Sequence, residues 1–168
     1  MVGRSDQFAV ATSATTRARR PGEVDGREYV FLDDAEFQRR VDRGDFLEHV
    51  SYAGGRYGTL ESQVEGLLQS GRSVILELEI EGAFAIRRRR PDAVLIFVNP
   101  PTFEDLERRL RARATDSAGE IDTRLAIARE QLQARDDFDH VVTNDDVSRA
   151  SGELLSTLES ELTKEGDT

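Results

Sequence analysis

Apolar positions follow two different periods along the chain, and these periods predict alternating strands and helices. Apolar runs at residues 8–12, 93–98 and 140–143 have the length of strands, while residues 74–80 alternate apolar with acidic side chains. Between these runs and after them, apolar residues three or four positions apart indicate helices. Strands that alternate with helices predict an α/β fold, in which a parallel sheet is joined by crossover helices.

Capping residues predict the ends of two helices. Asp33, with Glu36 three positions later, predicts the start of a helix that Gly44 ends. Thr59 is the predicted N-cap of a second helix, which runs to Gly71.

Two stretches depart from a simple strand–helix alternation. Segments 46–52 and 56–58 flank a pair of glycines and predict a hairpin, so residues 16–58 are interpreted as an inserted lobe. The alternating run of apolar and acidic residues predicts a strand with Glu77 and Glu79 on the same face.

Composition limits the classes of protein that this chain can represent. A length of 168 residues, with 38% apolar and 33% charged residues, fits one soluble globular domain. The net charge of −10 argues against non-specific binding to nucleic acid, and the absence of cysteine excludes disulfides and thiolate metal sites. No apolar run approaches the length of a membrane span or resembles a signal peptide, so a cytoplasmic location is predicted. His49 and His140 have no partners at metal-ligand spacing, and no metal site on the protein is predicted.

A cluster of arginines near the start of the chain is a candidate phosphate site. Arg17 and Arg20 stand beside a Pro-Gly and an Asp-Gly turn, and arginine binds phosphate oxygens in a planar, two-pronged geometry. Tyr29 and Tyr57 add hydroxyl donors, whereas Arg19 is expected to be exposed. The alternative is a solvated basic loop without a ligand.

Glu48 is a candidate for reading a base. An ionised carboxylate only accepts hydrogen bonds, so it can take both the N1–H and the N2 amine of guanine, which adenine does not offer in the same way. The hydroxyls of Ser13 and Thr59 are candidate donors to the guanine O6. Each of these residues alone is also common on surfaces and at helix caps.

Two further groups carry candidate chemistry. Glu77 and Glu79 are predicted near the end of a core strand, where they can approach Mg²⁺, a ribose or a base; the alternative is ion pairing with residues 87–90.

A second group of charged residues flanks residues 114–119, which are interpreted as a mobile loop that closes over a triphosphate. That group consists of Arg109, Arg113 and Arg124. Its alternative is a helical hairpin with ion pairs such as Glu107 with Arg111.

Taken together, these motifs resemble the guanylate kinases, which transfer phosphate from ATP to GMP. The resemblance extends over residues 8–160 in order. It rests on S-x-T-T-R-x-x-R-P-G-E-V-D-G-x-x-Y at Ser13–Tyr29, F-L-E at Phe46–Glu48, Y-G-T at Tyr57–Thr59, L-E at Leu76 and Glu77, P-P-T-x-E-x-L-x-x-R-L at Pro100–Leu110, R-x-T-D-S at Arg113–Ser117 and N-D-D at Asn144–Asp146.

The resemblance implies a fold and a division of the chain. The fold is that of a P-loop nucleoside monophosphate kinase, α/β, with a parallel core, an inserted GMP-binding lobe and a small lid. The implied single domain has its core at 1–15, 60–110 and 125–168, its lobe at 16–59 and its lid at 111–124.

The resemblance also implies roles and substrates. The GMP-binding positions are Ser13, Arg17, Arg20, Tyr29, Glu48, Tyr57 and Thr59, and Glu77 is grouped with them, its contact with base, ribose or metal left open. Arg109, Arg113 and Arg124 match lid arginines that act on ATP phosphates, and Asn144 lies on the adenine side. ATP, GMP and Mg²⁺ bound with ATP are the expected small molecules, without nucleic acid or membrane.

Three departures from the family pattern carry expectations of their own. Glu79 to Gly82 stand where the family reads D-x-Q-G, and Ala114 replaces a usual lid glycine. The family's G-x-x-G-x-G-K loop, which binds ATP phosphates, does not occur here, and only twelve residues precede Ser13. The expectation is therefore a truncated kinase that lacks the first core strand and is inactive alone. The alternatives are a non-catalytic module that binds GMP or a phospho-ligand, and a protein completed by a partner chain.

Overall fold

Short strands and amphipathic helices alternate through the computed structural model, which describes residues 6–112 and 118–166. The predicted α/β class is confirmed, and the chain divides into two compact units, Met1–Pro91 and Asp92–Thr168. No helix within the described residues is both long enough and apolar enough to cross a membrane.

The described residues of the first unit form two sheets. The elements are β1 (Phe8–Val10), β2 (Ala14–Thr15), β3 (Val30–Phe31), α1 (Asp34–Arg43), β4 (Phe46–Tyr52), β5 (Gly55–Leu60), α2 (Glu61–Gln69), β6 (Ser73–Ile75) and α3 (Ile80–Arg89). Strands β1 and β6 pair in parallel, and the other four form a sheet in the order β3-β2-β5-β4. The four-stranded sheet contains the predicted hairpin, β4 with β5, and most of it lies in the segment interpreted as a lobe; its strand β2 precedes that segment.

Helix α1 packs on the four-stranded sheet through Phe37, which is wholly buried. The ring of Phe37 stacks on that of Phe46 with centroids 4.6 Å apart, and Ala14 and Leu60 complete this core. The helix begins as predicted, because the Asp33 carboxylate accepts a hydrogen bond from the backbone N–H of Glu36 at 2.7 Å.

Gly58 in β5 explains how closely the two hairpin strands and the core approach each other. A Cβ at this position would lie 2.8 Å from Cδ1 of Phe46 and 2.9 Å from the carbonyl oxygen of Glu48. The side of Gly58 where a side chain would stand therefore faces Phe46. Because successive residues of a strand face opposite ways, Tyr57 and Thr59 share the other face.

In the second unit, the part of the chain that the structure describes forms one parallel pair of strands and three α-helices. Its elements are β7 (Ile96–Asn99), α4 (Phe103–Ala112), α5 (Ala118–Gln131), a 3₁₀ turn (Leu132–Asp137), β8 (His140–Thr143) and α6 (Val147–Gly166). Strand β8 has the predicted bounds, and the Thr102 hydroxyl accepts the N–H of Asp105 at 3.0 Å at the start of α4. Leu110, Ile121 and Leu125 form the apolar contact between α4 and α5.

Two local predictions were wrong. The strand predicted at 74–80 ends at Ile75, because its partner β1 has only three residues, and α3 already begins at Ile80. Glu77 and Glu79 are therefore not strand residues. Thr59 does not cap α2: it lies in β5, and the N–H of Glu61 is bonded instead to the carbonyl of Asp45 at 3.0 Å.

Candidate functional site

Arg17 is held in place immediately after β2 by a carboxylate from its own loop. Its Nη2 lies 2.8 Å from Oε1 of Glu23 and its Nη1 lies 3.2 Å from Oε2, so the ion pair is two-pronged. Nη1 also donates to the carbonyl of Ala18 at 2.6 Å. The pair with Glu23 raises the pKa of Arg17, whose side chain is only 15% exposed. A guanidinium has five N–H donors, and these contacts leave the Nε edge outside the Glu23 pair.

Two tyrosines stand next to this guanidinium. The Arg17 Cζ lies 5.4 Å from the centroid of the Tyr29 ring, and the Tyr29 and Tyr57 rings are 6.1 Å apart. Burial raises the pKa of the Tyr29 hydroxyl, with Tyr57 adding to the rise, Arg17 opposing it and Glu77 adding a smaller part. The hydroxyl is therefore protonated at neutral pH and available as a donor. The structure thus brings Arg17, Tyr29 and Tyr57 together.

Glu23 was not identified from the sequence, although it organises this loop. Besides holding Arg17, its Oε2 accepts the backbone N–H of Arg20 at 2.6 Å. These hydrogen bonds, first from Arg17 and then from Arg20, lower the pKa of the Glu23 carboxyl. Glu23 follows Arg20 by three positions, directly after the predicted Pro-Gly turn, and that spacing is the signal that could have indicated it. Arg19, between the two arginines, is exposed as expected.

Glu48 and Thr59 form a buried polar pair across the hairpin. The Thr59 hydroxyl donates to Oε1 of Glu48 at 2.7 Å, and Thr59 and Glu48 are 1% and 5% exposed, respectively. The two residues lie directly opposite each other, Glu48 in β4 and Thr59 in β5. Burial raises the pKa of the Glu48 carboxyl above its usual range, while the hydrogen bonds from the Thr59 side chain and backbone oppose the rise. A buried carboxyl with a shifted pKa is typical of functional sites, so Glu48 is a candidate for binding a polar ligand group.

The guanidinium of Arg17 and the ring of Tyr29, called the Arg17 cluster below, lie beside the buried carboxylate of Glu48. Tyr57 and Thr59 are two positions apart on one face of β5, which separates them by about 6.7 Å along the strand. Tyr57 reaches the Arg17 cluster, and Thr59 reaches Glu48. Through Tyr57 and Thr59, β5 therefore lies next to cationic and hydroxyl donors at one point and next to a carboxylate acceptor two residues further on.

The remaining predicted residues of the first unit occupy less central positions. Ser13 lies between β1 and β2, and its carbonyl accepts the N–H of Val30 at 2.9 Å. Glu77 is exposed but close enough to Tyr29 to affect its pKa, whereas Glu79 is at the N-cap of α3. The alternative prediction paired these two acids with residues 87–90. Of those residues, Arg89 donates instead to the carbonyls of Phe46 and Leu47.

In the second unit the structure joins two of the predicted residues. Nη2 of Arg109, on α4, donates to the carbonyl of Asn144, just after β8, at 2.9 Å. Arg124 is partly buried on α5, and Arg113 lies outside the described residues. The ion pair expected between Glu107 and Arg111 is present, with Nη2 to Oε1 at 2.7 Å.

Comparisons with known proteins agree with one another. Residues 2–161 match the family model described as guanylate kinase. The guanylate kinase of Rubrobacter xylanophilus is 52% identical over 90% of this chain and 80% of its own length. That of Deinococcus radiodurans is 44% identical over 90% of this chain, which spans 64% of that relative. The crystal structure of guanylate kinase from Anaplasma phagocytophilum superimposes with a TM-score of 0.79 at 28% identity, covering 93% of this chain and 77% of that one.

Proposed function

The chain belongs to the guanylate kinase family, and we propose that its first unit binds GMP as the acceptor for a phosphoryl group from ATP. The observation that carries this proposal is the arrangement on β5, where Tyr57 contacts the Arg17 cluster and Thr59 contacts Glu48. A nucleoside monophosphate has the matching chemistry, an anion at one end and a hydrogen-bonding base at the other.

The phosphate end is assigned to Arg17, Arg20, Tyr29 and Tyr57. Charge-assisted hydrogen bonds from arginine to phosphate are about twice as strong as neutral ones. Because Glu23 already holds one edge of the Arg17 guanidinium, the side chain is oriented before the ligand arrives. Such preorganisation reduces the ordering entropy that binding costs.

The base end is assigned to Glu48, with Thr59 and Ser13. An ionised Glu48 accepts the N1–H and the N2 amine of guanine side by side, while adenine leaves this buried acceptor without its donors. A site built in this way can reject the wrong analogue by roughly 10⁴–10⁵. Glu77 is assigned to the GMP side as well, on the basis of its position near Tyr29.

The ATP side is assigned to Arg109, Arg113, Arg124 and Asn144 in the second unit. In the proposed reaction an oxygen of the GMP phosphate attacks the γ-phosphorus of ATP, and the bond to the β–γ bridging oxygen breaks to leave ADP and GDP. The arginines would bind the negative oxygens of the transferring group.

The described residues hold no cluster of three or more carboxylates and histidines suited to a metal, so Mg²⁺ is proposed to enter as part of the ATP complex. We also propose that the chain divides into a core, a lobe and a lid with the bounds given above. The proposed location is the cytoplasm.

The polypeptide of these 168 residues contains no G-x-x-G-x-G-K run, and Lys164 is its only lysine. The amides and lysine of such a loop bind the ATP phosphates. We therefore propose that this polypeptide binds GMP but is catalytically deficient, which makes a GMP-binding module the second candidate.

Titration calorimetry with GMP and AMP, alongside a coupled assay of ADP release, tests both parts. We expect GMP to bind more tightly than AMP, Glu48→Gln to remove most of that preference, and ADP release to stay at background. Equal affinities in the unmodified chain would contradict the base assignment. GMP-dependent ADP release at rates typical of kinases would contradict the deficiency and leave the binding assignment intact.

A further inference from the structure

The carboxylate of Glu48 rests against a helix residue that has no side chain. Gly82 is buried in the first turn of α3, and a Cβ there would lie 2.8 Å from Oε2 of Glu48 and 3.4 Å from its Cδ. A real Cβ does not approach an oxygen so closely, so any larger residue requires the carboxylate to move. The next atom, Cβ of Leu78, is at an ordinary 3.6 Å.

Gly82 is not required by the backbone. Among the described residues, five glycines have a positive φ, a conformation that side chains disfavour, and Gly82 is not one of them. Alanine is also the better helix former, so α3 itself would favour alanine at this position. The feature that calls for glycine is therefore the space taken by Oε2.

Glu48 has few ways to yield that space. It is 5% exposed, and its Oε1 is held by the Thr59 hydroxyl at 2.7 Å. Turning the carboxylate away from a new methyl group would break that bond or redirect both oxygens. The cost would therefore fall on the orientation of this carboxylate and not on the backbone of α3.

We propose that Gly82 is a specificity-determining position: its missing side chain lets the Glu48 carboxylate present its oxygens to the adjacent N1–H and N2 amine of a guanine base. This inference rests on the proposed binding of GMP. Gly82 acts through Glu48 and is a positioning residue.

The test compares Gly82→Ala with Gly66→Ala, a matched control on α2 whose Cβ would meet nothing within 4 Å. Calorimetry measures the dissociation constants of GMP, of IMP, which lacks the N2 amine, and of AMP. We expect Gly82→Ala to weaken GMP by about 10- to 100-fold, because bonds to a charged acceptor are lost. IMP, which keeps the N1–H, should weaken by a smaller factor than GMP, AMP should hardly change, and Gly66→Ala should leave all ratios unchanged. An equal loss for the three nucleotides, or no loss, would overturn the inference.

The Glu48→Asp background identifies the atom responsible. Aspartate is one methylene shorter, which withdraws the carboxylate from the methyl group that Gly82→Ala introduces. We expect Gly82→Ala to change nucleotide selectivity and thermal stability much less in the Glu48→Asp chain than in the unmodified one. If the two substitutions act independently, Gly82 does not work through Glu48. Should Gly82→Ala alone unfold, the double variant must recover folding for the inference to stand. An unmodified chain without preference for GMP would instead refute the proposed function, and the inference with it.

Discussion

Replacing Thr59 by valine tests what its hydrogen bond contributes to holding the buried carboxylate. The hydroxyl lies 2.7 Å from Oε1 of Glu48, at a point where both residues are almost inaccessible to solvent. Valine keeps the branched shape of threonine and substitutes a methyl group for the hydroxyl. The acceptor then remains buried without this donor.

The magnitude follows from leaving a buried acceptor unsatisfied. Such a group costs about 1–3 kcal/mol, and charged acceptors lie towards the upper end. We expect Thr59→Val to lower the free energy of unfolding by about 2 kcal/mol at neutral pH. Thr59→Ser is the matched control: it retains the hydroxyl and loses one methyl group, which is worth about 0.8 kcal/mol.

The pH dependence of this cost has a definite sign. Burial raises the folded-state pKa of Glu48 above its unfolded value of about 4.3, so stability is fully present below that value and falls as pH rises through the folded pKa. The Thr59 bond lowers the folded pKa, and Thr59→Val raises it further. The variant should therefore lose more stability, relative to the unmodified chain, at neutral pH than in mildly acidic buffer.

Urea unfolding followed by far-ultraviolet circular dichroism is the suitable assay, because the chain has no tryptophan for fluorescence. The three proteins are compared at the two pH values. Equal losses for the valine and serine variants, or a valine loss that does not grow with pH, would refute the reasoning.

Three further outcomes are expected. Phe37→Ala should cost about 3–5 kcal/mol in urea unfolding, because the ring is wholly buried and stacked on Phe46. Gly58→Ala should lower the thermal midpoint, since its Cβ would lie 2.8 Å from Cδ1 of Phe46, and an unchanged midpoint would contradict that packing. Glu23→Gln should weaken GMP and AMP by the same factor in calorimetry, because it loosens the Arg17 guanidinium without touching the base site, and a changed GMP-to-AMP ratio would argue against this separation.

The sequence predicts elements well where their limits are set locally. The start of α1 depends on Asp33 and the end on Gly44, which adopts a left-handed φ of 73°. Strand β8 and the β4–β5 hairpin are bounded by turn residues next to them and were likewise predicted. In each case the residues that stop the element are its immediate neighbours.

The predictions that failed depend on distant partners. The run at 74–80 alternates like a strand, but the length of β6 is set by β1, a three-residue strand from a distant part of the sequence. Thr59 is a good capping residue by type, yet its hydroxyl bonds Glu48 across the hairpin. Likewise, nothing in the sequence shows that Gly82 faces a carboxylate, because a helical glycine does not reveal which atom lies against it.

In the proposed GMP site, the source of affinity is separate from the source of selectivity. Arg17 and its tyrosines form a partly open cluster whose main orienting contact, Glu23, comes from the same loop. Glu48 is buried between β5 and α3, and its orientation depends on Thr59 from one side and on the space at Gly82 from the other. A phosphate is common to all nucleotides, so changes in the Arg17 cluster should scale their affinities together. Changes around Glu48 should instead alter the ratios between bases, because only the base meets a group whose hydrogen bonds cannot be replaced by water.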